Sequence, residues 1–375
     1  MKKNPIYQAL SIILRNTGKS LPILKYGLIE NGWLRMTDLE HEIRIYLEDY
    51  GKKPVLADIG LQLKVNDMSA AIDAAQIMNV NDFPGQIDPG QQAVNISPKV
   101  LDGLIDLLPA VSTDDSRGCL RSVFVNRKKK EAVATDGHIC LVKKLSVGPM
   151  ASFMIDPITL KIAECFTGNL TGLTIHHRLE TKGTDGTVST HSADYLTLTG
   201  NGWQLVSRVL PAKDYPMYWR AIPDRSQAVS VVWDKGLIGE VSAFLDKAKP
   251  FTNPKTHLIH LIAGEGIVKN DSISFFRRTV FARDILPLKP EQVIGVNAEI
   301  LQSVLKFIQD RPVAVTVGEH MINAIVFQGE DCLALVMPLR TSESSAGITR
   351  AELLKEEGGK AAVIPALGNQ MRKAA

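Results

Sequence analysis

Apolar positions along the chain follow two rhythms. A three-to-four-residue spacing predicts helices, and a two-residue alternation predicts strands. Gln8 to Asn16 places Leu10, Ile13 and Leu14 on one face and predicts a short helix. Strands are predicted from Tyr26 to Glu30 and from Trp33 to Leu47, joined by the hairpin signal Asn31-Gly32. A second helix is predicted from Asp67 to Met78, with Met68, Ile72, Ala75 and Ile77 apolar; Phe83-Pro84-Gly85 ends it.

The same order returns twice. Ser97-Pro98 opens a helix whose apolar face is Val100, Leu101, Leu104, Ile105 and Leu108. Strands follow at Leu120 to Val125, Glu131 to Thr135 and Cys140 to Leu145, the first two joined by the basic turn Asn126 to Lys130. Asp156-Pro157 opens a helix with Ile158, Ile162 and Phe166 inward, followed by strands at Leu170 to His176, Tyr195 to Thr199 and Trp203 to Leu210. Asp234 caps a helix carrying Leu237, Val241, Phe244 and Leu245, with strands at His257 to Ile262 and Ser272 to Arg278. Asn297 caps another, with strands at Val313 to Val317, Ile322 to Gln328 and Leu333 to Met337. The pattern is α+β, with sheets covered on one face by helices. Thr341 to Ala375 is rich in Ser, Gly, Ala and Lys and reads as a flexible tail, helical only over Thr349 to Glu357.

Composition narrows the classes. The 375 residues carry a formal net charge of +3, so any nucleic-acid contact depends on local arrangement. Cys119, Cys140, Cys165 and Cys332 show no CxxC spacing and no His at a zinc-ligand interval, the pattern of free thiols. No apolar run approaches the ~20 residues of a membrane span. The N-terminus lacks a signal-peptide core, and a cytoplasmic protein without cofactor or metal is expected.

Four motifs in order resemble one family, the bacterial DNA sliding clamp, the beta subunit of DNA polymerase III. They are Leu21-Pro22-Ile23-Leu24 with Met36-Thr37-Asp38-Leu39-Glu40; Ala134-Thr135-Asp136-Gly137-His138; Tyr215 to Pro223; and Val336-Met337-Pro338-Leu339-Arg340. The resemblance covers residues 1 to 340. It implies three clamp-type domains, at 1–86 (shortened), 87–223 and 224–340, with the tail at 341–375. In the family two subunits close head to tail into a homodimeric ring, with helices lining the pore and sheets on the outer rim.

The resemblance also implies a non-catalytic processivity factor. It would tether a replicative polymerase to double-stranded DNA, and dock polymerase, clamp loader and repair proteins through short linear motifs. The docking residues implied are Leu120, Thr135, Gly137, His138, Ile139, Cys140, Pro216, Arg220, Ala221, Met321, Asn323, Leu335, Met337, Pro338 and Leu339. Methionine suits a surface that accepts several peptides. Ile139 and Cys140 stand where the family has Arg and Leu, which predicts a more apolar, less charged edge.

Phosphate contacts without base reading are expected from Arg15, Lys19, Lys161, Lys235, Lys247, Lys249 and Lys306. The Lys128-Lys129-Lys130 run reads as a solvated loop. Between Leu47 and Phe83 the chain is too short for the family's strands, and Gly60 to Val65 is the candidate substitute strand at the ring-closing edge. Two other classes fit parts of the sequence. One is a clamp-like module that competes for partner peptides without encircling DNA. The other is a metal-dependent hydrolase around Asp136 and His138.

Overall fold

The computed structural model describes residues 4–17, 21–48, 50, 53–75, 78–90, 93–146, 151–182, 188–212, 215–223, 229–270, 275–289, 292–309, 311–317, 324–339, 353 and 364–365. The chain forms two compact units. The first holds residues 1–132 and 145–215; the second holds 133–144 and 216–375.

One plan recurs through both units, a strand, a helix, then a three-strand meander; among the described residues the first copy lacks the leading strand and the second lacks the meander. The first copy is helix Pro5–Asn16 and strands Tyr26–Glu30, Trp33–Thr37 and His41–Tyr46. The second begins with strand Val55–Asp58 and helices Ile59–Val65 and Met68–Ala74. The third runs from strand Ala93–Ile96 and helix Lys99–Ile105 to strands Val123–Asn126, Glu131–Thr135 and Ile139–Lys144. The fourth has strand Phe153–Ile155, helix Pro157–Cys165 and strands Leu170–Lys182, Val188–Gly200 and Trp203–Arg208. The fifth has strand Ser230–Trp233, helix Lys235–Ala248 and strands Leu258–Ile262, Glu265–Asn270 and Phe275–Val280. The sixth has strand Ile294–Asn297, helix Ala298–Ile308 and strands Val313–Val317, Ile325–Gln328 and Cys332–Val336.

Helix starts follow local chemistry. The side chains of Asn4, Asp156, Asp234 and Asn297 each accept a backbone N–H of the first turn, which otherwise lacks a partner. Pro5 and Pro157 stand at the first helical position, where a missing N–H costs nothing.

In the first unit eight strands form one antiparallel sheet. Its order is Val55–Asp58, Tyr26–Glu30, Trp33–Thr37, His41–Tyr46, Trp203–Arg208, Val188–Gly200, Leu170–Lys182 and Ala93–Ile96. The first and fourth copies are joined by the pairing of His41–Tyr46 with Trp203–Arg208. Helices Pro5–Asn16 and Pro157–Cys165 pack together behind it. In the second unit Ile139–Lys144, Cys332–Val336, Ile325–Gln328, Val313–Val317 and Ser230–Trp233 lie side by side. A second sheet there runs Ile294–Asn297, Leu258–Ile262, Glu265–Asn270, Phe275–Val280 and Ile364–Pro365. Trp233 anchors this unit: it is fully buried, its Nε1–H donates to the Ile285 carbonyl at 2.6 Å, and it packs edge-on against Phe327.

Several expectations need correction. Gly60 to Val65 is helix, not a substitute strand. Asp58 accepts the Leu61 N–H at 2.9 Å and caps it, and Ile59 and Gln62 turn inward one helical turn apart. Trp33 to Leu47 is two strands, broken by a tight turn at Asp38 to Glu40. Leu120 lies in the 3-10 segment Asp115–Arg121 instead of a strand. Glu265–Asn270 is a further strand, which the two-residue turn Ala263-Gly264 folds back onto Leu258–Ile262. The tail is not uniformly flexible: Leu353 is buried, and Ile364–Pro365 pair with Phe275–Val280. Of the tail helix expected over Thr349 to Glu357, only Leu353 is among the described residues.

A buried pair sets the pH response of the first unit. His41 is 3% exposed, and its Nδ1 lies 3.0 Å from Asp38 Oδ2 while its Nε2 lies 3.9 Å from Asp156 Oδ1. Burial pushes the His41 imidazole down. The Asp38 hydrogen bond and charge, with the charges of Asp156 and Glu40, outweigh it and hold its pKa above the ordinary 6.5. Burial likewise raises the Asp38 carboxyl, but the His41 bond and charge and the Asn16 bond bring it below the ordinary 3.8.

The folded state holds the His41 proton more tightly than the unfolded chain. Its contribution is therefore complete below pH 6.5 and is lost as pH rises through the raised folded value. Asp38 contributes above pH 3.8 and stops doing so as pH falls through the lowered folded value. Urea denaturation at pH 5.5 and 8.5 should show the wild type losing stability on going alkaline, and His41→Gln losing much less. Equal losses in both proteins would show that the pair does not carry the response.

Candidate functional site

The Thr135 to Ile139 stretch is a side-chain-locked hairpin turn. Asp136 Oδ1 accepts the N–H of His138 at 2.8 Å and of Ile139 at 2.9 Å. Thr135 Oγ1 accepts the Gly137 N–H at 3.1 Å and donates to the Ile139 carbonyl at 2.6 Å. Gly137 has φ +91°, a left-handed conformation that glycine adopts without strain. The Asp136 carboxylate is thus occupied in holding backbone, and His138 stands exposed beside it. Among the described residues no group of three His, Cys, Asp or Glu side chains could hold a metal ion.

The first unit contains the same turn. Asp38 Oδ1 accepts the N–H of Glu40 at 3.0 Å and of His41 at 2.7 Å. Thr37 Oγ1 accepts the Leu39 N–H at 2.9 Å and donates to the His41 carbonyl at 2.8 Å. Leu39 takes the place of Gly137 at φ +82°, a strain of about 1 kcal/mol for a residue with a Cβ. Two of the sequence motifs are thus one structural device used twice.

Each turn feeds a strand that pairs with a strand far along the chain. In the second unit Leu335 faces Cys140 and Val336 faces Ile139, and the next N–H, of Met337, donates to the His138 carbonyl at 2.8 Å. In the first unit Ser207 faces His41, and the next N–H, of Arg208, donates to the Glu40 carbonyl at 2.9 Å. The seams match in backbone and differ in side chains. The first closes with the ion pair Arg208–Glu40 at 3.4 Å, whereas the second presents Met337 and His138.

Beyond the second seam the chain stays pinned. The Leu339 N–H donates to the Gly295 carbonyl at 2.8 Å, so Met337-Pro338-Leu339 is held at both ends. Met337 is 36% exposed, and Pro338 and Leu339 are half-buried. The same unit carries a second apolar surface at the 3-10 turn Tyr218–Ala221. There Tyr218 is buried while Met217 and Trp219 are 49% and 43% exposed.

The structure sorts the expected docking residues. Thr135, Gly137, His138, Pro216, Arg220, Ala221, Met337, Pro338 and Leu339 lie in the second unit and reach the surface. Ile139, Cys140 and Leu335 are buried in the sheet. The apolar edge expected from Ile139 and Cys140 is therefore core, and these residues shape the seam from beneath. Leu120 is half-buried in the first unit. Met321 and Asn323 lie outside the described residues, as does Lys19. Met217 and Trp219 were not singled out from the sequence. Their signal was two large apolar residues flanking a tyrosine in a proline-bounded linker.

The remaining basic candidates, Arg15, Lys161, Lys235, Lys247, Lys249 and Lys306, are all exposed. Arg15 and Lys161 belong to the packed helix pair of the first unit. Lys235, Lys247 and Lys306 belong to the corresponding pair Lys235–Ala248 and Ala298–Ile308 in the second. Lys249 is engaged with Glu299 at 2.7 Å; that hydrogen bond chiefly, with the charges of His257 and Lys249, holds the Glu299 carboxyl below its ordinary range. Among the described residues no helix is long and apolar enough to cross a membrane.

No protein-family model matches the sequence, and no curated protein matches it. Solved structures do match. The sliding clamp (DNA polymerase III subunit beta) of Bartonella birtlesii, bound to griselimycin, superposes with a TM-score of 0.68 at 17% identity, covering 89% of this chain and 97% of that one. The DNA polymerase III beta chain of Streptococcus pneumoniae gives 0.68 at 17%, covering 90% and 98%. The beta subunit of Thermotoga maritima gives 0.67 at 18%, covering 90% and 98%. From end to end of those proteins, and at low sequence identity, this chain has the fold of the bacterial DNA sliding clamps, the beta subunits of DNA polymerase III.

Proposed function

We propose that the chain is a non-catalytic tether. It docks short linear motifs of DNA polymerase, clamp-loader and repair proteins on the second seam, and holds them on double-stranded DNA. The observation that carries this reading is the contrast between the two seams. The same backbone is closed by an ion pair at one and left with Met337, His138 and Leu339 accessible at the other. An accessible methionine on a rigid strand end suits several peptides, because its shape adapts while its position does not. Met217, Trp219, Pro216, Arg220 and Ala221 form the remainder of the docking surface, with Arg220 as a polar anchor at its rim.

Tethering needs no chemistry. It keeps a partner at high local concentration, so dissociation is followed by rapid rebinding. The basic helix faces, through Arg15, Lys19, Lys161, Lys235, Lys247, Lys249 and Lys306, contact phosphates without reading sequence. Three clamp-type domains at 1–86, 87–223 and 224–340, in a head-to-tail homodimer in the cytoplasm, complete this reading.

A second reading has its own support. Among the described residues between Asp58 and Ala93 there is no strand, so the second copy of the repeated plan lacks its meander. A chain that docks peptides but does not close a ring is the result. Retention on nicked circular DNA, with release after linearisation, and a dimeric mass by light scattering are expected of the encircling tether. Peptide binding by a monomer that is not retained on the circle establishes the second reading instead.

A further inference from the structure

The two seams obey one rule. The closing strand of the first copy pairs with that of the fourth, and the closing strand of the third pairs with that of the sixth. Each partner lies three copies further along. The fifth copy closes with Phe275–Val280. By that rule its counterpart would be the closing strand of the second repeat, whose meander is missing among the described residues, so the edge is left open to any other strand.

The edge is nevertheless occupied. Ile364 and Pro365 pair in parallel with Thr279 and Val280. Upstream in the same tail, Leu353 is 1% exposed and packs with Ile262, Ile267 and Val293, with Phe276 of the edge strand against the cluster. Two separate anchors therefore bring the tail to one sheet.

We propose that the tail acts in cis as a surrogate edge strand, sealing Phe275–Val280 against strand addition by a second copy of this chain. A bare six-residue strand exposes unpaired N–H and C=O groups and templates pairing with another chain. Pro365 adds no N–H to the ladder, so the surrogate itself makes a poor template. A two-residue ladder and one buried leucine make a displaceable seal, and displacement opens the edge. The docking seam takes no part in this seal, and failure of the seal leaves the peptide reading untouched.

Hydrogen exchange and light scattering on the full chain test it, with Leu353→Asp removing the buried anchor and Ile364→Pro removing a ladder donor. The seal rests on the second reading, in which no ring closes: the wild type should then be monomeric, with slow amides over Phe276 to Val280. Both variants should exchange there at least about ten-fold faster and self-associate as concentration rises. Ile364→Pro leaves the core cluster intact, and unchanged exchange over Leu258–Ile262 verifies its fold should Leu353→Asp unfold. Identical exchange at Phe276 to Val280 in wild type and Ile364→Pro overturns the seal. Faster exchange without association keeps the surrogate strand and overturns the second copy as the excluded partner. A wild type that associates with its tail still protected also overturns the sealing role.

Discussion

Replacing Met337 and Leu339 together by alanine should weaken binding of a short linear-motif peptide from a replicative polymerase by roughly 30- to 100-fold, about 2–3 kcal/mol. The two side chains project from a segment whose own N–H groups are committed to His138 and Gly295. Alanine keeps both bonds, so the segment stays in place and only the apolar surface is lost. Met337 is partly exposed and Leu339 half-buried, so truncation opens no large cavity and stability should change little. Fluorescence anisotropy with a labelled peptide reads the affinity, and urea denaturation confirms the fold. The mirror-image change at the first seam, Arg208→Ala with Glu40→Ala, should leave peptide affinity unchanged, since that seam presents an exposed ion pair. Equal losses from both double variants would remove the second seam as the docking site.

The largest effect on stability is expected at Glu42. Its carboxylate is fully buried and accepts from Arg35 Nη1 at 3.1 Å, Arg44 Nε at 2.7 Å, Arg44 Nη2 at 2.6 Å and the Ile87 N–H at 3.1 Å. Arg35 also lies over the Phe83 ring, 4.9 Å from its centre, and Arg44 donates to Gln204 Oε1 at 3.1 Å. One side chain thus ties the first meander, the 83–87 connection and the strand Trp203–Arg208. Glu42→Ala leaves two guanidinium groups in a largely buried site without their counter-charge, a loss of about 3–5 kcal/mol. Urea denaturation should show it, together with faster proteolysis within residues 84–90. A change under about 1 kcal/mol would mean that the arginines find water instead, as exposed pairs do.

What could be read locally and what could not separates cleanly along the chain. Helix caps at Asp156, Asp234 and Asn297 follow from residues two or three positions apart, and they appear where the spacing put them. The strand Glu131–Thr135 and the strand Val313–Val317 match their predicted limits because alternation and flanking turns coincide there. The Trp33 to Leu47 run was misread because its break is made by Thr37 and Asp38 side chains closing on backbone, with Leu39 in a conformation that sequence assigns to glycine. Gly60 to Val65 went wrong because a short apolar run fits strand and helix equally until a cap is recognised.

At the candidate site, the turn was legible and its purpose was not. Thr-Asp-x-x spells a hairpin locked by side chains, which removes Asp136 from chemistry once the two N–H bonds are seen. The unbroken apolar run Ile139 to Val142 shows that the strand is buried, but not which strand covers it. Only the pairing with Cys332–Val336 decides that Ile139, Cys140 and Leu335 are core while Met337 and Leu339 reach the surface.

The sequence by itself determined the repeated order of helices and strands, the caps at Asp156, Asp234 and Asn297, and the resemblance to the clamp fold. These rest on contacts within a few residues, where propensity and hydrogen-bonding groups act directly. Tertiary structure alone decided the two long-range seams, the exposure of Met337 beside His138, and the tail strand on Phe275–Val280. Each of these is a choice of distant partner for an edge. A strand's alternation encodes which face is buried, while the partner is selected by the edges left free when everything else has packed.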